Sequence, residues 1–171
     1  MERRVFRYWW AGFISLAFGI ALVFLVVWIG HFSYKEQLRI ANSTFKVRIL
    51  KKPTLLLNYS YLFQSSPVAH ENWKDIYEFT SDPQSVNDLA ALVNETTGYV
   101  RSNRVFLVTT DSGLRWKAFD LADLASIPDE SSSCTWIGSV KLDVDGTGSM
   151  KLRGCIKHRP LATNNYGVAW E

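Results

Sequence analysis

Charge is missing from one stretch of this chain and nearly balanced in the rest. Residues 8–34 contain no Asp, Glu, Lys or Arg, and their centre reads AGFISLAFGIALVFLVVWIG. From Lys35 onward, 16 Lys plus Arg stand against 15 Asp plus Glu, a balance of +1. A nucleic-acid surface is normally basic on one face, so no direct nucleic-acid binding is expected. Residues 1–7 are also too short for a DNA-reading module. Cysteine is scarce: Cys134 and Cys155 are too few for a metal site of their own. His31, His70 and His158 form no pair with metal-ligand spacing, and none has an evident Cys or Ser partner. The chain has no G-x-S-x-G, P-loop, H-E-x-x-H or dinucleotide fingerprint. Asp120 and Asp123 read most simply as an exposed helix face. The expectation is therefore a non-enzyme, with no catalytic residues, cofactor or metal.

What is present begins with that uncharged run. About 20 apolar residues suffice to span a bilayer as a helix, and a helix satisfies its own backbone groups in lipid. Arg3, Arg4 and Arg7 precede the run, while Lys35, Glu36 and Arg39 follow it. The positive-inside rule then places the N-terminus in the cytoplasm and the rest outside. Tyr8, Trp9 and Trp10 at one end, with Trp28, Phe32 and Tyr34 at the other, suit two interfacial belts. A cleaved signal peptide is disfavoured by the long run and by the absence of small residues at its far end. Ala11, Ser15 and Gly19 recur every four residues, a stripe where a second membrane helix can approach. The expected division is a cytoplasmic stub at 1–7, a signal anchor at 8–34, a polar stalk at 35–43 and an exported domain at 44–171.

The exported part reads as an antiparallel, β-rich α+β domain. Phe45, Val47 and Ile49 alternate with Lys46 and Arg48, and 54–63 reads as a second strand. Residues 71–80 fit either a helix or a short strand. Asp82-Pro83 followed by Val86, Leu89, Ala90 and Val93 predicts the main amphipathic helix, stopped at Gly98. Residues 104–110 and 114–119 predict a hairpin around Asp111-Ser112-Gly113. A second hairpin joins 136–144 to 150–156 across Asp145-Gly146-Thr147-Gly148. The final residues are read as either an edge strand or a loose tail. A partly closed barrel with the helix against it is the expected architecture.

Three smaller signals need weighing. Asp143, Asp145 and Thr147 fall at positions 1, 3 and 5 of a calcium-loop pattern, but position 12 is Gly154 and the flanks have strand period. A hairpin tip is the simpler reading. Sequons at Asn42, Asn58 and Asn94 would carry glycans in a eukaryotic secretory protein; chance occurrence is the simpler account. His70 beside Glu71 could sense pH, or be a solvated loop histidine. An even cysteine count outside the cytoplasm suggests one disulfide, Cys134 to Cys155, with two buried thiols as the alternative. A register symmetric about the turn puts Cys134 opposite residue 159, so a bulge or a link between neighbouring strands is required. Closing this loop would restrain the unfolded chain by about 3 kcal/mol.

The late run Cys134, Trp136, Gly138, Val140, Leu142, Gly146, Gly148, Gly154 and Cys155, with the stub and single anchor, resembles the FidL-like inner-membrane proteins of enteric bacteria. These are similar in organisation to the ToxS and PsaF type of co-regulators. The resemblance implies a protein integral to the bacterial inner membrane, with a periplasmic domain that stabilises or tunes a membrane-bound winged-helix activator. It also implies that a joint barrel can hold a small apolar ligand such as a bile salt. An assembly subunit of an envelope or secretion complex is the alternative.

Overall fold

The structure is a computed structural model and describes residues 16–23, 33–54, 58–123, 135–154 and 160–171. Residues 16–23 are helical, and Leu16, Phe18, Ile20, Leu22 and Val23 are exposed there. Among the described residues no helix is long and apolar enough to cross a membrane. The remainder of 8–34, up to residue 32, lies outside the described residues.

The rest is antiparallel β structure in three sheets. The first holds β1 (Lys35–Ala41), β2 (Phe45–Pro53), β3 (Tyr59–Pro67) and β4 (Lys74–Ser81) in chain order. The second holds β5 (Ala90–Leu92), β6 (Gly98–Arg101), β7 (Val105–Thr109) and β8 (Lys117–Asp120), also in order. The third holds β9 (Thr135–Leu142), β10 (Gly148–Gly154) and β11 (Leu161–Thr163), with β10 central. None of the three closes on itself, so the expected partly closed barrel is corrected to open sheets among the described residues.

The sheets stack in layers, and alternation along each strand shows how. Phe45, Val47, Ile49, Tyr61 and Phe63 of the first sheet pack on Ala90, Val100, Val105 and Leu107 of the second. The intervening residues Tyr99, Phe106 and Val108 face the other way, onto Ile137 and Met150 of the third. A period of two thus sends one strand's side chains into two different cores. That is why the Val105–Thr109 strand is buried at every position, and why its sequence is a continuous apolar run rather than an alternating one.

Two expected elements are corrected. Residues 35–43 are not a stalk: β1 pairs with β2 from Lys35↔Lys51 to Ala41↔Lys46 and turns Leu38 and Ile40 into the first core. Residues 82–98 are not a helix. They form a 3-10 turn at Val86–Asp88 and then β5, paired with β6 from Ala90↔Val100 to Leu92↔Gly98. The stripe Val86, Leu89, Ala90, Val93 fitted a helix, but its carbonyls are claimed elsewhere. Arg101 N–H donates to Leu89 O at 2.8 Å and Arg101 Nε to Asp88 O at 2.7 Å. Asn94 Oδ1 accepts from the N–H groups of Thr96 and Thr97, a side-chain turn that competes with helix. The ambiguous 71–80 segment is settled as strand: Phe79 stacks on Tyr61 with ring centroids 5.1 Å apart.

The two expected hairpins are present, as β7–β8 and β9–β10. Around Asp145 the turn is built by side chains: its Oδ1 accepts from Thr147 N–H at 2.9 Å and Thr147 Oγ1 at 2.7 Å. The β9–β10 register shifts between Lys151 and Leu152 and ends at Thr135↔Gly154. The symmetric register expected from the turn is therefore corrected: the pairs are centred on Asp145, with Gly148 opposite Leu142, and the bulge shifts them by one residue more. The tail is an edge strand whose end is bonded back, with Ala162 N–H to Glu171 O at 2.8 Å and Glu171 N–H to Ala162 O at 3.0 Å.

One eight-residue pattern occurs twice. Residues 109–116 (TTDSGLRW) and 163–170 (TNNYGVAW) share T-x-[D/N]-x-G-[L/V]-x-W. In each, the Thr hydroxyl donates to the Asp111 or Asn165 Oδ1 at 2.9 Å and accepts the Gly N–H at 3.0 Å. The same Oδ1 accepts the N–H four residues on, at 2.9 and 3.0 Å. Ser112 and Tyr166 both have φ 59°, followed by Gly113 at 80° and Gly167 at 79°. Each loop clasps the layer before its own: Gly113, between β7 and β8, lies under Phe45, and Gly167, after β11, lies under Phe106. Trp116 and Trp170 then close the first and second cores respectively. Both indole N–H groups are buried without a hydrogen-bond partner among the described residues.

Candidate functional site

The second interface between layers opens into a cleft. The segment before β5 contributes Gln84, Ser85 and Asp88; β6 contributes Arg101, with Asn103 just beyond it. From the third sheet come Trp136, Ile137, Gly138 and Arg153, enclosing about 200 Å³. Asn103 and Trp136 also line an adjoining hollow of about 350 Å³ with Asp82, Arg104 and Thr135.

Arg101 is the unusual residue. It sits on the β6 face that carries Tyr99, in an otherwise apolar interface, and is only 6% exposed. Strand alternation puts it there, and three carbonyls hold it: Nε to Asp88 O at 2.7 Å, Nη1 to Ile137 O at 3.0 Å, Nη2 to Gly138 O at 3.4 Å. The last two belong to β9, whose edge has no further strand among the described residues. Ile137 N–H is taken by Asn103 O at 2.6 Å. Arg101 therefore finishes the third sheet's edge and ties it to the second. Burial pushes its guanidinium pKa down, opposed by Tyr99 and Asp88; burial likewise pushes the Tyr99 phenol up.

The cleft mouth is differently built. Trp136 is 43% exposed and pairs across the strands with Arg153. The Arg153 side chain lies over Gly138, where a Cβ would sit 2.7 Å from its Cγ. The floor is a fixed amide network: Gln84 Nε2 donates to Asn103 Oδ1 and to Ser81 Oγ at 2.7 Å, and Asn103 Nδ2 donates to Ser81 Oγ at 3.0 Å.

A second polar constellation covers the outer face of the first sheet. Trp73 lies under three cations, with Arg48 at 4.2 Å, Arg39 at 5.3 Å and Lys46 at 5.4 Å from its ring. Glu71 pairs with Arg39 and Lys46, and Glu36 with Arg39 and Arg48. The Arg39 hydrogen bond holds the Glu36 carboxyl below its usual range. Nearby, Tyr34 Oη bonds Ser60 Oγ at 2.9 Å and donates to Glu78, which Ser60 also contacts at 2.6 Å. These bonds lower the Glu78 pKa, and they fasten the chain to the first sheet where the apolar run ends. This face is internally satisfied, so it reads as the polar outer cap of a layered stack.

The sequence-predicted residues fall elsewhere. Gly19 is in the described helix, with open space where a Cβ would stand; Ala11 and Ser15 lie outside the described residues. So do Cys134 and Cys155, each one position beyond the last β9–β10 pair. Asp143, Asp145 and Thr147 form the hairpin tip, with Asp143 paired to Lys141 at 3.0 Å. Asn42 and Asn94 build turns with their own threonines, which accounts physically for two of the N-x-T patterns. His70 is exposed and uses its carbonyl, accepting from Ser66 Oγ at 2.7 Å.

Arg101 was not found from sequence; its only signal is a cation ending the G-Y-V-R strand. Comparison with family models, curated proteins and solved structures finds no match for this chain.

Proposed function

We propose that the chain is a membrane-anchored binding protein rather than an enzyme. On this reading residues 8–34 form a single spanning helix with the N-terminus in the cytoplasm. The β domain stands in the periplasm and stabilises or tunes a membrane-bound winged-helix regulator, as the FidL-like resemblance implies. The observation that carries the binding role is the cleft that combines buried Arg101 with exposed Trp136 and Arg153. Arg and Trp are enriched among residues that dominate interface energetics. Support for the anchor comes from the exposed apolar side chains of residues 16–23, with Phe18 71% exposed, a surface that favours lipid over water. A shared membrane also raises the effective concentration of two tethered partners.

Two measurements test the reading. Protease added to spheroplasts should digest the domain and leave an N-terminal epitope protected. Mild detergent extraction should co-purify a single-span DNA-binding protein. Loss of the epitope, or recovery of the chain alone, contradicts it.

A further inference from the structure

The cleft also indicates what kind of group enters it. A guanidinium has five N–H donors. Arg101 directs three at carbonyl oxygens, leaving one N–H on each terminal nitrogen without an acceptor among the described residues. Carbonyl dipoles do not neutralise a buried charge, and no carboxylate lies within ion-pair distance of Arg101 among the described residues. Asp88, which lines the cleft, gives Arg101 its main-chain oxygen and acts through its carboxylate only at longer range. Arg153 is exposed at the mouth and makes no hydrogen bond or ion pair among the described residues. Two cations with no ion-pair partner among the described residues, on adjacent layers, thus line one cleft beside an exposed indole. Around Trp73, by contrast, Arg39, Lys46 and Arg48 are each paired with a carboxylate.

We propose that this cleft binds a carboxylate, held by the unused Arg101 N–H groups and by Arg153, with the apolar body of its bearer on Trp136. Two N–H groups on one planar fork suit the two coplanar oxygens of a carboxylate. A phosphate dianion fits less well, because Asp88 and Asp82 flank the opening. The inference rests on the binding role proposed above and adds the chemistry of what is bound. The carboxylate can belong to an acidic side chain of the partner or to a small free acid.

The test uses the full chain in detergent micelles with its tryptophans replaced by 5-fluorotryptophan, so that each indole reports separately by fluorine NMR. Sodium benzoate should shift Trp136 saturably, and methyl benzoate, which lacks the charge, should not. Arg101→Met should weaken benzoate binding about tenfold or more, the loss expected for a charged hydrogen bond. Arg153→Gln should weaken it about threefold. Unmoved Trp116 and Trp170 signals show that the layers are intact; if Arg101→Met disturbs them, the exposed Arg153→Gln variant decides. No saturable shift, an equal response to the ester, or benzoate affinity unchanged in Arg153→Gln overturns the proposal. Inorganic phosphate binding as tightly as benzoate overturns the carboxylate assignment. If benzoate binds and competes with the co-purified partner, the natural carboxylate is the partner's; binding without competition assigns it to a free acid. A partner that still co-purifies while benzoate fails to bind sinks this inference and leaves the proposed function standing.

Discussion

Replacing Gly167 with alanine probes the device that joins the layers. Gly167 has φ 79°, a region where an L-residue is disfavoured by about 1–2 kcal/mol. The added Cβ would stand 2.8 Å from Phe106 Cε1 and 3.0 Å from Trp170 Cζ2. Phe106 is fully buried and Trp170 is 6% exposed, so neither can move without opening the second core. Overpacking of this kind costs about 1–3 kcal/mol. Gly167→Ala should therefore lose about 2–5 kcal/mol. Gly113→Ala has the same backbone cost, but its Cβ would meet Phe45 Cδ2 at 3.1 Å, so its loss should be smaller. Gly19→Ala, with open space and a helical backbone, should be neutral or slightly stabilising. Urea unfolding of the full chain in micelles, followed by tryptophan fluorescence, gives the three values. A Gly167→Ala loss below about 0.5 kcal/mol would refute the clasp, since surface substitutions alone fall in that range.

Three further outcomes are expected. Tyr34→Phe removes the hydroxyl shared with Ser60 and Glu78 and should cost about 1 kcal/mol; amide exchange at Ser60 and Thr80 should quicken, and unchanged exchange would count against the clamp. Glu36, Glu78, Asp111 and Asp145 all have pKa values held below the unfolded ones, chiefly by the Arg39 side chain, the Ser60 hydroxyl, the Arg115 main-chain N–H and the Thr147 hydroxyl respectively. Their contribution is present above the unfolded carboxyl range near pH 4 and is lost as pH falls through the lowered values; a urea midpoint that rises on acidification through this window would contradict it. Cys134 and Cys155, flanking the Thr135↔Gly154 pair, should be oxidised to one disulfide worth about 3 kcal/mol. Intact mass after alkylation without reductant should show no added label; two labels would mean free thiols.

Much of the β structure was legible where local chemistry decides it. The turns at Asp111–Gly113 and Asp145–Gly148 carry their own side-chain hydrogen bonds, so both hairpins could be read before any packing is known. Phe45, Val47 and Ile49 alternate because one face of β2 is wet. What could not be read depends on a second sheet. Residues 82–98 have a helical stripe, and only β6 converts Ala90–Leu92 into a strand. Lys35–Ala41 looks like a polar stalk because half its side chains face the outer cap of the first sheet. The repeated T-x-[D/N]-x-G-[L/V]-x-W pattern was visible in the sequence, but its meaning as an interlayer clasp needs Phe45 and Phe106 in place. Arg101 was least legible, since its burial is created by the third sheet laying Ile137 and Gly138 against it.

The central claim is that the Arg101–Trp136 cleft engages a membrane-anchored regulator. Placing a photo-crosslinking amino acid at position 136 of the full chain in intact membranes tests it most directly. The account predicts one discrete crosslinked product containing a single-span DNA-binding protein, diminished by Arg153→Gln. Irradiation that yields no protein product, or the same product from Leu114 at a remote exposed turn, would contradict it.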